Sequence, residues 1–237
     1  MNDPVAHAKS YPFPVLGRSY VYRNGQPEEM LDDRFDRFGR WPVLAAGSNQ
    51  SHEQLARKYS MLSGHVEIPI QKGELRDFDS VYAAHLASYG SVPSTFFPSV
   101  GTRVTTYVLW LDDIQLNRMH ETERNYTFDH LHDVIVETDG GGEVLSEAYA
   151  YTSKVGCVNL AGLPVALGEI QAHGRVLPSM SQGMILEHIR ERLAPAEALD
   201  AFIIAHIENN DVRKARAAAL SEDAIFPDFV RTVVAEF

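Results

Sequence analysis

The segment Pro42-Val43-Leu44-Ala45-Ala46-Gly47-Ser48-Asn49 indicates how the core of this protein begins. Its first five residues are apolar, as expected of a short buried strand, and the chain can then turn at Gly47. Ser51 has the character of a helix N-cap, and Gln54 follows three residues later, which is the spacing of a capping box. The segment therefore predicts a strand that passes through a glycine turn into a helix.

The turn Gly47-Ser48-Asn49 has the chemistry of a ligand-binding loop. A glycine has no Cβ, so the backbone can approach a bound molecule closely. Amide groups at the start of a helix can hold a carboxylate or a phosphate, and Ser48 and Asn49 add side-chain donors. An ordinary strand-to-helix turn is the alternative interpretation of so short a motif. Ser48 lies outside a Gly-x-Ser-x-Gly elbow, so we do not expect it to be a nucleophile.

The rest of the chain predicts several strands followed by helices. Alternation or β-forming residues predict strands over Val66–Ile70, Ser80–Tyr89, Thr102–Leu111, Tyr126–Thr138 and Glu143–Thr152, with turns at Gly90–Pro93, Pro98–Gly101 and Asp139–Gly142. From Gly183 onward the pattern becomes helical. Many strands with few βαβ alternations favour an α+β fold, built on a mixed or antiparallel β-barrel with flanking helices.

Composition and charge exclude several classes of protein. The 237 residues are 45% hydrophobic and carry a formal charge of −11, so the surface repels nucleic acids and anionic membranes. Cys157 is the only cysteine, which excludes an intrachain disulfide and suits a reducing cytosol. The chain shows neither a secretory signal nor an apolar stretch of transmembrane length. We therefore expect a cytoplasmic protein with a small-molecule partner, and the sequence leaves open whether it is a homo-oligomer.

The chain divides into three predicted parts. Residues 1–41 are polar and rich in proline, and they predict an N-terminal extension that packs on the domain, covers the site or forms an interface with a partner. Residues 42–190 form the predicted core. Residues 191–237 are expected to form a C-terminal helical segment that packs on this core.

A short helix after Thr102–Leu111 carries the strongest catalytic candidate. Asp112 or Asp113 can cap this helix, which is expected to run to about Arg124. Leu116, Met119 and Glu123 follow each other at helical spacing, so a carboxylate continues an apolar stripe. A carboxyl group in the interior loses hydration and suits acid–base chemistry. On spacing alone, a carboxylate that swings out to water or pairs with a buried arginine is the favoured interpretation.

Histidines and tyrosines give two further candidate groups. His130 and His132 share one strand face, and together with His120 or His85 they would suit a metal ion. Surface or packing histidines are the simpler interpretation, so neither a metal nor another cofactor is expected. Tyr149 and Tyr151 also share a strand face, where their hydroxyl groups can orient a substrate or serve as core packing.

Taken in order, these segments resemble the gamma-glutamylcyclotransferase-like superfamily, over about residues 42–190. Val43–Asn49 matches a family strand that ends in Tyr-Gly-Ser-Asn, and Gly90–Thr95 with Pro98–Gly101 matches a turn of the form Gly-x-Ala-Thr…Pro-x-x-Gly. Leu111–Asp112 with Met119–Tyr126 matches a helix that reads Leu-Asp-x-x-Glu-Gly. Tyr149 or Tyr151 matches a tyrosine on a later strand, and Ile170–Pro178 matches a stretch of the form Ile-x-x-Gly-Ala…Leu-Pro. The sequence departs from the family at Ala46 in place of tyrosine, at Arg124 in place of glycine, and at His120 in place of aspartate.

The resemblance implies an enzyme, a cofactor-independent acyltransferase or lyase of the cyclising type. The α-amino group of a γ-glutamyl amide would attack its own γ-carbonyl, which releases an amine and forms 5-oxoproline. Glu123 would move the protons, while Ala46, Gly47, Ser48, Asn49 and Tyr149 or Tyr151 would bind the substrate. The departures leave two alternatives, namely a related amide-cleaving or acyl-transfer enzyme with another substrate, or a non-catalytic binding protein on the same fold.

Overall fold

A computed structural model describes residues 3–30, 35–139 and 144–237 of the chain. Within these ranges the helices are α1 (Pro4–Lys9), α2 (His52–Tyr59), α3 (Asp113–Thr122), α4 (Gln182–Leu193), α5 (Leu199–Glu208) and α6 (Asn210–Ser221), with a 3-10 turn at Ser48–Gln50. The strands are β1 (Tyr20–Arg23), β2 (Gln26–Glu29), β3 (Trp41–Leu44), β4 (Glu67–Tyr82), β5 (Ser94–Leu111), β6 (Tyr126–Leu131), β7 (Val136–Thr138), β8 (Val144–Leu145), β9 (Ala148–Ser153), β10 (Asn159–Leu160), β11 (Leu163–Pro164), β12 (Ala166–Leu167), β13 (Ala172–His173), β14 (Ser179–Met180) and β15 (Arg231–Glu236).

One large mixed sheet organises the molecule, and its main path runs β14-β12-β4-β5-β3-β9-β6-β15. Most neighbours are antiparallel, while β3 with β9 and β12 with β14 are parallel. The predicted α+β class with flanking helices is confirmed. The sheet is open rather than closed into the predicted barrel, because β14 is two residues long, runs almost directly into α4, and offers little backbone for a further strand.

The central strands β4 and β5 are longer than the sequence predicts. They pair from Ile70 opposite Leu109 to Tyr82 opposite Ser94. The predicted turn at Pro98–Gly101 lies inside β5, where the chain bends at a β-bulge instead of reversing. The register shifts at Asp77, which has a φ of 60° and accepts a hydrogen bond from the Gly101 amide through Oδ1 at 2.7 Å. A bulge of this kind twists the pair while both strands continue.

Apolar side chains form two clusters, as expected for a sheet that is covered on both sides. Val43 belongs to the cluster that contains Leu55 of α2 and Met119 of α3, whereas the adjacent Leu44 belongs to the cluster that contains Ile185 of α4 and Phe202 of α5. Successive strand residues point to opposite faces, so this division follows from the alternation of side chains. No helix in the described ranges is long and apolar enough to cross a membrane.

Both ends of the chain join the sheet or its covering helices. β1 pairs with β4, and α1 lies against α5. The predicted helices after Gly183 are present, but the chain ends in a strand, β15, that pairs with β6. This strand is mostly exposed and lies at the sheet edge, so it lacks the apolar alternation that marks a buried strand. The predicted hairpin is present as the β7–β8 pair, and Gly140, Gly141 and Gly142 lie outside the described residues.

Candidate active site

The sheet topology brings the separate sequence motifs to one edge. β3 and β9 are parallel, with Val43 opposite Tyr149, so the carboxyl ends of both strands reach the same edge. β6 begins at that edge, with Tyr126 opposite Ser153. α3 starts after β5 at the other edge and runs back over ten residues, a distance of about 15 Å. The residue after α3 therefore arrives beside the turn that follows β3.

A cleft of ≈ 1190 Å³ opens at this edge of the sheet. Six of the seven residues that the sequence predicts for the site line it: Ala46, Gly47, Ser48, Asn49, Glu123 and Tyr151. The seventh, Tyr149, is not brought into the cleft. It stacks on His130 with a centroid distance of 4.6 Å and meets the edge of the Trp41 ring at 5.0 Å.

Glu123 occupies the C-cap of α3 at the wall of the cleft, and 12% of its side chain is exposed. Its Oε1 accepts a hydrogen bond from Asn49 Nδ2 at 3.1 Å and contacts the ammonium group of Lys58. The predicted Asp112 cap is present, as a capping box with Gln115 that fixes where α3 begins and therefore where it ends. The predicted carboxylate and the predicted turn thus meet directly.

Lys58 was not among the predicted site residues, although it is the closest charged partner of Glu123. Only 8% of its side chain is exposed, and its Nζ also lies 3.3 Å from Met119 Sδ. Lys58 follows Leu55 by three residues on α2, so it continues the buried stripe of that helix. The rule that identified Glu123, a charge that continues an apolar stripe, therefore applies to Lys58 as well. Its ammonium group stabilises the negative charge of the Glu123 carboxylate.

The predicted glycine turn forms a 3-10 turn, in which the Gln50 amide donates to Gly47 O at 3.0 Å. Asn49 Oδ1 is buried and has no hydrogen-bond partner among the described residues, so it can accept from a ligand. Ser51 is the N-cap of α2, but the predicted capping box with Gln54 does not form. Ser51 is buried, and the side-chain Oε1 of Gln54 accepts instead from Arg57.

A tyrosine of the N-terminal extension completes the wall beside this turn. Tyr11 Oη lies 2.9 Å from Ser94 Oγ and accepts from the Ser94 amide at 3.0 Å and the Ser48 amide at 3.4 Å. A Cβ on Gly47 would lie 2.1 Å from Tyr11 Oη, so glycine is required for this approach. Burial raises the pKa of the Tyr11 hydroxyl, while its hydrogen bonds with the two serines oppose that change. No local motif could reveal this residue, because it lies 37 positions before Ser48.

Tyr151 and His120 form a second polar pair near Glu123. Tyr151 Oη lies 2.8 Å from His120 Nδ1. Burial is the main cause of the raised pKa of Tyr151, and the Glu123 carboxylate adds to it. Burial lowers the pKa of His120, whereas Glu123 acts to raise it. Both side chains are therefore neutral at pH 7, and Tyr151, which lines the cleft, can hold a hydrogen bond to a neutral substrate group.

The histidines proposed as partners of His130 and His132 lie elsewhere. His120 is beside Tyr151, and His85 is buried with its ring edge against Tyr126 at a centroid distance of 5.4 Å. Burial lowers the pKa of His85 to about 4. His130 and His132 lie together, with ring centroids 4.1 Å apart, away from the cleft.

Positive charge dominates the cleft although the whole chain carries −11. Glu123 is the only acidic residue among the described residues that line it. The basic residues at the wall are Arg57, Lys58, Arg118, Arg124, Arg213 and Lys214. Charged walls of one sign focus the field and raise the local concentration of oppositely charged ligands. The cleft therefore favours anionic small molecules.

Comparisons with known proteins give a fold likeness and nothing closer. A scan against models of protein families finds no match, and a search of curated proteins finds none either. Among solved structures, the chain is similar to one described as "Gamma-glutamyl cyclotransferase", with 15% identity and a TM-score of 0.39. The match covers 82% of this chain and 93% of that chain. This likeness concerns the fold alone.

Proposed function

We propose that the protein is a gamma-glutamylcyclotransferase-like enzyme that cleaves a γ-glutamyl amide by intramolecular attack. The observation that carries the proposal is the contact of Glu123 with both Asn49 and Lys58 inside a cleft whose other described Asp, Glu, Lys and Arg residues are all basic. The resemblance of the segments around these residues supports the same reaction. The role assigned to each side chain rests on its contacts.

Glu123 is suited to exchange protons with a substrate because its carboxyl group lies at the wall of the cleft, largely shielded from water and in contact with Lys58. In the proposed step the free α-amine of the substrate forms a bond to its own γ-carbonyl carbon. The bond from that carbon to the leaving nitrogen breaks. Glu123 takes the proton from the attacking nitrogen and delivers it to the leaving nitrogen, so the products are 5-oxoproline and a free amine. The reaction needs no external nucleophile because the substrate supplies one.

The turn after β3 is suited to hold the substrate at this carboxylate. Ser48 and Asn49 line the cleft, and Asn49 Nδ2 donates to Glu123 Oε1 at 3.1 Å. We assign the backbone amides of Gly47 and Asn49 to bind a carboxylate or to polarise a carbonyl group. The Ser48 amide already donates to Tyr11 Oη, so we assign Ser48 a contact through its side chain. Tyr151, held by His120, is the tyrosine of the predicted pair that lines the cleft, and we assign it the orienting role.

The basic walls favour a leaving group that carries its own negative charge. Arg124 and Lys214 are exposed at the cleft, and neither has an acidic partner among the residues that the structure describes. We therefore expect γ-glutamyl dipeptides, which retain a carboxylate on the leaving amine, to be cleaved with lower KM than uncharged γ-glutamyl alkylamides. Added salt is expected to raise KM for the dipeptides and to leave the alkylamides nearly unchanged.

The test is a panel of γ-glutamyl dipeptides and alkylamides incubated with the enzyme in ¹⁸O-labelled water. Intramolecular attack gives unlabelled 5-oxoproline, whereas hydrolysis gives glutamate that carries the label. Unlabelled 5-oxoproline with one equivalent of amine supports the proposal. Labelled glutamate would identify an amidase on the same scaffold. An absence of turnover, combined with a raised melting temperature in the presence of these ligands, would identify a binding protein.

A further inference from the structure

His130, His132 and Glu147 meet at the edge of the sheet that lies opposite the cleft. They offer ligand atoms that all lie within 4.8 Å of one another. His130 is the next-to-last residue of β6, His132 lies just beyond this strand, and Glu147 directly precedes β9. Because β6 pairs with β9 in antiparallel register, with Leu131 opposite Ala148, the next pair outward brings His132 opposite Glu147. The sheet itself therefore holds the three side chains on one face.

The spacing of two of these groups is that of ligands on one tetrahedral metal ion. His130 Nε2 and Glu147 Oε2 are 3.4 Å apart. Two ligands at about 2.0–2.2 Å from a zinc ion, separated by the tetrahedral angle, lie about 3.4 Å from each other. The His132 ring is close enough to join after a small rotation, since its centroid is 4.1 Å from that of His130.

The surroundings orient both imidazoles. Thr232 Oγ1 lies 2.9 Å from His132 Nε2, and Tyr149 stacks on the His130 ring at 4.6 Å. A hydrogen bond to one nitrogen of a metal-binding imidazole fixes the ring and its tautomer. His130 and Glu147 also line a second pocket of ≈ 490 Å³, together with Trp41 and Tyr149. Two of the three proposed ligands therefore border a space from which an ion can reach them.

We propose that His130, His132 and Glu147 form a binding site for a divalent transition-metal ion, with Zn²⁺ as the ion that fits best. Two imidazoles and one carboxylate suit zinc, whereas Mg²⁺ and Ca²⁺ prefer oxygen ligands. This site is separate from the Glu123 cleft and does not depend on the reaction proposed there.

The test uses the full chain without a histidine tag, stripped with a chelator and then titrated with ZnCl₂ by calorimetry at pH 7.5. We expect one Zn²⁺ per chain, and we expect Co²⁺ to give the intense visible absorption of a tetrahedral site. Glu147→Gln and His132→Ala are each expected to weaken Zn²⁺ binding at least roughly ten-fold. Loss of a group that only hydrogen-bonds to a metal ligand can already weaken binding by this factor, so loss of a ligand itself should cost no less. Glu147 is 65% exposed, so its substitution leaves folding intact.

The matched control is His173→Ala. His173 Nε2 lies 3.6 Å from Glu74 Oε1. This surface histidine–glutamate pair has one histidine, whereas the proposed metal site has two. This variant is expected to bind Zn²⁺ as the unaltered chain does. Absence of one-to-one binding, or equal affinities in Glu147→Gln, His132→Ala and the unaltered chain, would overturn the proposal. Because the readout is binding, the outcome is independent of whether γ-glutamyl amides are cleaved.

Discussion

The Lys58–Glu123 ion pair gives a prediction whose size follows from burial. With 8% and 12% of the two side chains exposed, either group left alone becomes a largely buried charge. Removing one partner of a buried pair costs about 3–5 kcal/mol in the free energy of unfolding. Lys58→Met keeps the length of the side chain and leaves Asn49 as the remaining donor to Glu123. Glu123→Gln leaves the Lys58 ammonium group without its carboxylate.

The double substitution isolates the interaction free energy between Lys58 and Glu123 from the effects of their other neighbours. In the Lys58→Met/Glu123→Gln protein neither group is charged, so the penalty for an isolated buried charge is absent. The double variant is therefore expected to lose less stability than the sum of the two single variants, by about 1–3 kcal/mol. This coupling free energy is the quantity that the geometry predicts.

Urea unfolding followed by the fluorescence of Trp41 and Trp110 measures the four proteins of this cycle. For a chain of this size, 1 kcal/mol corresponds to about 2–4 °C in melting temperature, which gives an independent check. Lys214→Met is the control, because an exposed lysine is expected to change stability by less than about 0.5 kcal/mol. Single-variant losses that add in the double variant to within about 0.5 kcal/mol would refute a coupled buried pair.

Two further predictions concern single buried positions. Gly47→Ala places a Cβ 2.1 Å from Tyr11 Oη, so it is expected to lower the free energy of unfolding by about 1–3 kcal/mol. Gly183→Ala is the control and should be neutral, because its Cβ meets nothing closer than 4.0 Å. The pKa of His85 falls from 6.5 to about 4 on folding, so the unfolded chain binds more protons between these values and stability is lost as pH falls from 6.5 to 4. Denaturant titrations at pH 6.5 and pH 4 measure this loss, and we expect it to be about 3 kcal/mol smaller in His85→Leu. An equal dependence of the unfolding free energy on pH in His85→Leu and the unaltered chain would contradict this prediction.

Local patterns in the sequence identify much of the site because they describe which side chains face the interior. The stripe Leu116, Met119 and Glu123 predicts a buried carboxylate, and the same rule applied to α2 would have found Lys58. The capping residue Asp112 predicts the start of α3, which in turn sets the position of Glu123. Helical periodicity and the chemistry of helix ends suggest these positions, and the choice of Glu123 as the catalytic candidate also rests on the order of the motifs that resemble the family.

Contacts between distant segments are beyond such patterns. Tyr11 reaches Ser48 and Ser94 because α1 packs on α5, and nothing near Tyr11 in the sequence shows where its hydroxyl goes. Spacing predicts that Tyr149 and Tyr151 share a face, but only the pairing of β9 with β3 shows which one lies nearer the cleft. Closure of the sheet into a barrel likewise depends on whether its two edge strands pair with each other. These strands are far apart in the sequence, so a local pattern does not show whether they pair.

The kcat/KM of Glu123→Gln for a γ-glutamyl dipeptide, measured beside Glu121→Gln, tests the proposed role of Glu123 most directly. Glu121 lies two residues earlier on the same helix and is 62% exposed, so its substitution makes the same chemical change away from the cleft. We predict a loss of about 10²–10⁴-fold for Glu123→Gln, the contribution of a general acid–base group, and near-normal turnover for Glu121→Gln. Turnover by folded Glu123→Gln equal to that of the unaltered enzyme would contradict the assignment of Glu123 as the residue that moves the protons.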